Sequence, residues 1–349
     1  MEVRDPRGKI LGTAHYSSQS QITLRLLSSK IEEIGRNFLL ERIRRASEYR
    51  QRVVTGTEAY RLVFGEADQL PGLVIDRYGD CFAVQLLTQG MDRCRGLIVD
   101  CLQELFSPKA VVARNEASVR KQEGLVQETL LLSGELPDRV ALQMNGFAWS
   151  IDLLHGQKTG IFLDQRENYL AAAKYAHGRA LDCFTCNGGF ALHLAKTCES
   201  VEAIDSSATA LETAEANKRL NQMDNVVFRE EDVFDALARF AGARRHFDTI
   251  VLDPPAFTKS RAAIEGAVRG YKEINQKALR LLDSGGILIT CSCSHHFSEA
   301  LLLETLASAA LDTGRTLRVI ERRTQALDHP ILLTVPETLY LKCVIVQVL

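Results

Sequence analysis

The feature that most constrains the fold of this chain is an apolar run that breaks into paired glycines, RALDCFTCNGGF at 179–190. A strand, a glycine turn and a helical pattern in that order are typical of a nucleotide pocket in a parallel α/β sheet, because glycine lets backbone N–H groups approach the ligand. Four further strand-like runs follow, and three of them end in the acids Asp205, Asp232 and Asp253. Ligands of open α/β sheets lie at the carboxyl ends of the strands, so we predict that these acids converge on one crevice.

The run that ends at Asp253 continues into DPPAF at 253–257. This segment suits a ligand with a flat ring that bears an amino group. Consecutive prolines fix φ and remove donors, so the carbonyls of Asp253 and Pro254 should project into the crevice, with Phe257 able to stack on a planar ring. A proline-terminated strand without a ligand role is the plainer alternative. Asp205 lies 17 residues beyond Gly188, close to the spacing of about 20 in dinucleotide sites, which also admits a nicotinamide dehydrogenase. Such an enzyme would leave DPPAF unexplained.

Composition and charge bound the class of protein. The 349 residues, 46% hydrophobic and 25% charged, are typical of a soluble globular protein of two or three domains. A net charge of −2 argues against a grip on nucleic acid by the whole protein, although residues 1–60 carry 11 basic and 7 acidic side chains, which is +4 and leaves −6 elsewhere. Nine scattered cysteines, without a signal peptide or long apolar span, predict a reduced, cytoplasmic protein with no membrane segment.

Breaks in the pattern predict four segments. Residues 1–30 read as the last strands of a small β domain, and 31–137 as an α+β unit that opens with an arginine-rich helix at 31–52. A linking β-hairpin at 138–156 is predicted from its Asn-Gly pair, and 157–349 should form the α/β sheet domain. At the start of that domain, Lys158 lies in a segment too short for a phosphate loop, and we expect it to line the mouth of the pocket.

Several collinear motifs carry a family resemblance. They are NGGF at 187–190, Asp205, EDVF at 231–234, DPPAF at 253–257, GYKEIN at 270–275, SCS at 292–294 and DHPILLTVPETLYLK at 328–342. The chain resembles the class I S-adenosylmethionine (SAM)-dependent methyltransferases and, more narrowly, the bacterial 23S ribosomal RNA cytosine-5 methyltransferases with an N-terminal PUA domain. It departs from that family in a PUA domain reduced to its last strands, and in CNGG, where relatives more often place an aromatic residue and a threonine before the glycines.

The resemblance implies a fold, a cofactor and a set of site residues. The fold would be a Rossmann-like methyltransferase domain with a seven-stranded, mostly parallel sheet, preceded by an α+β RNA-docking domain and the PUA remnant. SAM would be bound by Phe184, Asn187, Gly188, Gly189, Asp205, Ser206, Asp232, Val233, Asp253, Gln165 and Arg166. Of these, the glycines would approach the methionine part, Asp205 the ribose, and Asp232 with Val233 the adenine. The substrate would be bound by Pro254, Pro255, Phe257, Lys158 and Tyr271.

Methylation at C5 of cytosine places a demand on the sequence. C5 is a weak nucleophile until a thiolate adds to C6, so a cysteine must face the pocket from a strand end. Cys291 and Cys293 both qualify, and strand alternation puts them on the same face. We predict Cys293 as the nucleophile, because it lies farther past the strand end and fills the Ser-Cys-Ser motif, with Asp253 as the other catalytic residue that holds the base. The group that removes the C5 proton is unassigned, and His295 and His296 are candidates.

Other interpretations stay open. Zinc held by the cysteines at 183, 186, 291 and 293 is disfavoured, since the two pairs should be about 10 Å apart in the usual strand order, and we expect no metal. A methyltransferase acting on a guanine nitrogen would need no thiol, and a protein that docks on RNA without catalysis would bind SAM only. The expected partner is 23S RNA that presents a single-stranded or flipped-out cytosine, and a homodimer is possible.

Overall fold

The computed structural model describes residues 1–156, 159–258 and 263–349. They divide into two compact units, one formed by Met1–Leu163 with Leu327–Thr338, the other by Asp164–Ala326 with Leu339–Leu349. The division differs from the predicted segments, which assigned everything from 157 onward to the sheet domain. Its cause is visible at Asp328, whose carbonyl accepts from Arg50 Nη2 at 2.8 Å and whose carboxylate accepts from the Arg61 N–H at 2.8 Å. These bonds attach 327–338 to the first unit.

The first unit contains two larger sheets and a hairpin. Its strands are β1 (Glu2–Arg4), β2 (Ile10–Tyr16), β3 (Leu24–Ser28), β4 (Ala59–Phe64), β5 (Leu73–Tyr78), β6 (Cys81–Leu86), β7 (Ala110–Asn115), β8 (Glu128–Gly134), β9 (Val140–Met144) and β10 (Phe147–Ile151). Its helices are α1 (Arg36–Val53), α2 (Gln89–Arg93), α3 (Arg95–Phe106) and α4 (Val119–Gln122). Strands β1–β3 form one antiparallel sheet, and β4–β8 form a five-stranded sheet in chain order.

Two local sequence signals explain boundaries in this unit. Asn145 and Gly146 both adopt positive φ, 56° and 74°, which is the geometry of a two-residue turn between β9 and β10, as the Asn-Gly pair predicts. Helix α1 begins at Arg36 rather than at 31, because Gly35 is extended and ends the preceding loop. Its buried face includes Leu39 and Ile43.

The second unit is built on one sheet. Its strands are β11 (Arg179–Cys183), β12 (Ser200–Asp205), β13 (Val226–Glu230), β14 (Phe247–Leu252), β15 (Leu282–Ser292), β16 (Leu317–Arg323) and β17 (Lys342–Val348). Its helices are α5 (Arg166–Tyr175), α6 (Gly189–Leu194), α7 (Ala208–Leu220), α8 (Val233–Gly242), α9 (Ile264–Leu281) and α10 (Glu299–Asp312). The strand order is β13-β12-β11-β14-β15-β17-β16. Strand β17 runs in the direction opposite to that of the other six strands. This confirms the predicted seven-stranded, mostly parallel sheet.

Burial on both faces explains why the central strands are continuous apolar runs. Ile250, Val251 and Leu252 of β14 are all fully buried, as expected for a parallel strand covered by helices on both sides. Because β11, β12, β13, β14 and β15 are parallel, their carboxyl ends meet at one edge of the sheet. Within the described part of the chain, no helix combines the length and apolarity that crossing a bilayer requires.

Candidate active site

The turn after β11 is held in a conformation that few side chains adopt. Phe184, Cys186 and Gly188 have positive φ values of 65°, 51° and 86°. The cost of positive φ at a non-glycine residue is of order 1–3 kcal/mol, and such residues cluster at ligand sites. The strained turn therefore marks the predicted cofactor loop.

Asp205 joins this turn to the next strand. One carboxylate oxygen accepts from the Cys186 N–H at 2.8 Å, and the other accepts from the Ser207 N–H at 2.9 Å. Each oxygen keeps a further lone pair, so a ribose hydroxyl can still donate to it. Ser206, between the bonded residues, is exposed.

The paired glycines have different reasons to lack a side chain. Gly188 needs its positive φ, whereas a Cβ on Gly189 would lie 2.4 Å from the Tyr169 ring. Tyr169 is buried and meets Phe190 edge to face, with ring centroids 4.7 Å apart. Asn187, beside the glycines, is also buried.

Asp182, at the penultimate position of β11, is a site residue that the sequence analysis left unassigned. It is fully buried, and its carboxylate accepts from the Thr185 hydroxyl at 2.5 Å. Burial raises the pKa of Asp182 to about 7, and the negative charges of Asp253 and Asp205 raise it further, against the lowering effect of the Thr185 hydroxyl. The available signal was its place at the end of the apolar run, directly before the glycine turn. A ligand with positive charge would relieve the repulsion among these three acids.

The two residues predicted to bind adenine, Asp232 and Val233, also stabilise the local structure. Asp232 is exposed and caps α8, since its Oδ1 accepts from the N–H groups of Phe234 at 2.8 Å and Asp235 at 3.2 Å. The side chain of Val233 is buried in the core under the sheet. Their contact with the adenine stays a prediction.

Gln165 and Arg166 lie where the chain enters α5. Both are almost fully buried. Gln165 accepts a hydrogen bond from the Asn168 amide at 2.7 Å, and Arg166 pairs with Glu167 at 3.3 Å. Lys158, the other residue predicted near the pocket mouth, lies outside the described residues.

The structure separates the two candidate cysteines. Cys291 lies inside β15, fully buried opposite Cys343, and burial raises its thiol pKa well above the usual value. Cys293 follows the last residue of β15, is partly exposed, and places its Sγ 4.0 Å from the carbonyl oxygen of Pro254. The Cys293 sulfur therefore lies beside the Pro254 carbonyl, whereas the Cys291 thiol is enclosed in the core.

Aromatic residues pack against one another beside the turn that carries Cys293, and Tyr271 lies at their centre. Tyr271 is fully buried, with ring centroids 4.6 Å from Phe257 and 4.5 Å from Phe297, and its hydroxyl lies 3.1 Å from Ser294 Oγ. A side chain enclosed in this way packs against its aromatic neighbours, and the contact of Tyr271 with the substrate stays a prediction. Phe257 is only partly exposed, because Tyr271 covers it.

The prolines of DPPAF divide in their exposure. Pro254 is buried and contributes its carbonyl beside Cys293, whereas Pro255 is exposed. Asp253 donates its backbone N–H to the Cys183 carbonyl at 3.3 Å, which extends the β11–β14 pairing to the pocket. The carboxyl ends of β11, β14 and β15 thus bring together a carboxylate, a rigid carbonyl and a thiol.

Lys342 is a second residue that sequence reasoning left without a role, although it ends the motif at 328–342. Its Nζ donates to the carbonyl oxygens of Ser294 at 2.7 Å and Tyr340 at 2.9 Å. His295 and His296 follow Ser294 in the sequence, and both are exposed. The ring centroids of His295 and Tyr340 are 5.7 Å apart. Across residues 1–156, 159–258 and 263–349, no group of three or more His, Cys, Asp or Glu side chains could hold a metal ion.

Comparisons with known proteins identify the family. A sequence model of S-adenosylmethionine-dependent methyltransferases matches residues 118–337, and one of PUA-like domains matches residues 1–29. The chain belongs to the S-adenosylmethionine-dependent methyltransferases. It is 42% identical over 344 residues to ribosomal RNA large subunit methyltransferase I of Vibrio vulnificus, covering 96% of this chain and 87% of that protein. The protein of that name from Tolumonas auensis is 41% identical over 356 residues, covering 99% and 90%.

Solved structures share the fold of this methyltransferase. A proposed SAM-dependent methyltransferase from Streptococcus mutans matches with a TM-score of 0.86 at 20% identity, over 99% of this chain and 90% of that one. A proposed methyltransferase complexed with SAH matches with a TM-score of 0.87 over the same shares, also at 20% identity. These likenesses confirm the class I methyltransferase fold.

The residues present fit SAM as cofactor. SAM carries a sulfonium and an ammonium group, and the negative charges of Asp253 and Asp205 disfavour the ionised form of the buried Asp182 at this edge of the sheet. A ligand that brings cationic groups to these acids is favoured there because it relieves this repulsion. The strained turn lies next to those acids, since its Cys186 N–H donates to Asp205 at 2.8 Å.

Proposed function

We propose that this methyltransferase transfers a methyl group from SAM to C5 of a cytosine in 23S ribosomal RNA, with Cys293 as the nucleophile. The observation that carries the proposal is the position of Cys293, past the end of β15, partly exposed and 4.0 Å from the Pro254 carbonyl. The relatives named ribosomal RNA large subunit methyltransferase I support large-subunit RNA as the substrate.

The chemistry follows from the electron demand of the pyrimidine ring. The Cys293 thiolate adds to C6, and the displaced π electrons make C5 an enamine-like nucleophile. C5 then forms a bond to the methyl group that SAM supplies, and the sulfonium becomes a neutral thioether. Removal of the C5 proton by a base restores the C5–C6 double bond, and the C6–S bond breaks to return the thiolate.

The protein's other contributions are binding and orientation. Asp253 and the Pro254 carbonyl would hold the exocyclic amino group and ring edge of the cytosine, while Asp205 would accept from the ribose of the cofactor. Asp232 and Val233 would face the adenine, and Pro255 would face the substrate. A cytosine paired in a helix cannot present C6 to a thiol, so the target must be single-stranded or flipped out.

The test is transfer of labelled methyl groups from SAM to unmodified 23S RNA, followed by nucleoside analysis. Wild type should yield 5-methylcytidine. Cys293→Ala should lose at least about 10³-fold in rate because the proposed nucleophile is removed, a loss in the range seen for removed nucleophiles. Cys291→Ala is the matched control and should remain active.

Two results would overturn the proposal. Methylguanosine as the product, formed equally well by Cys293→Ala, would favour a guanine-nitrogen methyltransferase of the same fold. Binding of SAM without any transfer to RNA would favour a docking protein. Measured SAM affinity in every variant separates loss of chemistry from loss of folding.

A further inference from the structure

Among the residues that the structure describes, the buried ammonium group of Lys342 has no acidic partner. Its side chain belongs to a residue that is only 5% exposed, and its two hydrogen bonds go to main-chain carbonyls. Within the described residues, no carboxylate forms an ion pair with it. Burying a charge without a counter-charge is costly, so this lysine needs a reason to be where it is.

The register of the sheet places Lys342 against the end of β15. Lys342 is the residue opposite Ser292, and its Nζ donates to the carbonyl of Ser294. The two contacts flank Cys293 on both sides in sequence. The lysine therefore fixes the turn that carries the sulfur and brings a positive charge beside it.

The electrostatics agree with this geometry. Burial lowers the pKa of Lys342 to about 8, and a negative charge on Cys293 acts in the opposite direction. At neutral pH the lysine therefore remains mostly protonated. Because an electrostatic interaction acts equally on both partners, the ammonium favours the ionised form of the sulfur.

Other titratable groups near Cys293 act differently. Asp253, next to Pro254, disfavours a second negative charge, and Tyr271 on α9 is neutral, since burial raises its pKa. His295 follows in the same loop and is exposed. A cation from β17 therefore opposes the repulsion that Asp253 exerts on a thiolate.

We propose that Lys342 is a positioning residue that holds the Cys293 side chain as a thiolate and fixes its direction through the Ser294 carbonyl. The inference rests on the proposed role of Cys293 as nucleophile. It gives a reason for the final lysine of the motif at 328–342, and it supplies the charged sulfur that addition to C6 requires.

The test is the pH dependence of Cys293 alkylation by iodoacetamide, read from the modified peptide by mass spectrometry. In Lys342→Gln, which keeps a donor but loses the charge, the pH midpoint should rise by roughly 1–3 units, the size of shift expected from removing a nearby opposite charge. Lys342→Met should show the same rise, and Lys342→Arg should restore most of the wild-type midpoint. Lys272→Gln removes a partly exposed lysine that pairs with Asp312 and should change nothing.

Folding and function are controlled separately. Thermal unfolding and SAM affinity identify variants that fold, and the methyl-transfer rate of Lys342→Gln should fall at neutral pH and recover in part as pH rises. A Cys293 midpoint equal to that of wild type in folded Lys342→Gln and Lys342→Met would overturn the inference. A shifted midpoint with no 5-methylcytidine from wild type would instead refute the proposed function alone.

Discussion

Buried charges are treated differently in the two units. In the first unit Arg50, 1% exposed, holds both oxygens of Asp68, with Nη2 to Oδ2 at 2.7 Å. Arg61 likewise holds Asp76 through two bonds of 2.8 and 2.9 Å, and the Thr159 hydroxyl donates to the same carboxylate. Every one of these charges meets an opposite charge.

In the described part of the second unit, two buried titratable groups at the edge of the sheet have no ion-pair partner. Among the described residues, neither Asp182 nor Lys342 forms an ion pair, and Asp182 faces the like charges of Asp253 and Asp205. A buried charged side chain that lies beside an opposite charge stabilises the fold. A buried charged side chain without an opposite charge raises the free energy of the site until a ligand or a reaction supplies that charge. The contrast predicts effects on folding in one unit and on binding or chemistry in the other.

The largest effect on stability should come from breaking a paired set. Arg50→Met leaves Asp68 and three main-chain carbonyls without their donor, so the free energy of unfolding should fall by about 3–5 kcal/mol, as for other broken buried pairs. Chemical denaturation, followed through the unfolding transition of the first unit, measures this loss of free energy. An unchanged transition would show that the pair is not structural.

The next effect should be on cofactor binding. Asp205→Ala removes the carboxylate predicted to bind the ribose and releases the Cys186 and Ser207 N–H groups. Affinity for SAM should fall by roughly 10–150-fold, the worth of a hydrogen bond to a charged group. Calorimetry would measure the loss, with Asp232→Ala for comparison. Equal affinity in wild type and Asp205→Ala would remove Asp205 from the site.

An effect on stability that depends on pH is expected at Asp182. Because its folded pKa is raised to about 7, the folded state binds more protons than the unfolded state between about pH 4 and 7, and stability falls as pH rises through that window. Asp182→Asn does not titrate. The free energy of unfolding of the variant relative to wild type, measured by chemical denaturation, should therefore grow by about 4 kcal/mol from pH 4 to pH 8. A pH-independent difference would contradict the raised pKa.

The smallest effect is expected where an arginine is paired but exposed. Arg44 on α1 pairs with Glu41 and Glu48 at the surface, where solvent screens the charges. Arg44→Met should leave the unfolding transition unchanged within error. A loss as large as that of Arg50→Met would mean that burial does not distinguish the two arginines.

Local signals in the sequence predict much of the fold. The apolar runs with terminal acids predict the parallel strands, and the Asn145-Gly146 pair predicts the hairpin. These features succeed because each depends on neighbouring residues. The membership of 327–338 in the first unit depends instead on Arg50 and Asp328, which are 278 residues apart.

The site shows the same limit. Cys291 and Cys293 share a strand face in the sequence pattern, and only the end of β15 at Ser292 distinguishes the buried thiol from the partly exposed one. Lys342 reaches the turn after β15 only because β17 inserts antiparallel between β15 and β16. No periodicity in the sequence reports that insertion.

The central claim, that the Cys293 sulfur adds to C6 of the target cytosine, has a direct measurement. RNA that carries 5-fluorocytidine at the target cannot lose a proton from C5 after methyl transfer, so the C6–S bond should persist. Mass spectrometry of the digested complex should find the methylated fluorocytidine on the peptide that contains Cys293, in a SAM-dependent manner, and no adduct with Cys293→Ala. An adduct on another cysteine, or full turnover of the RNA without any adduct, would contradict the account.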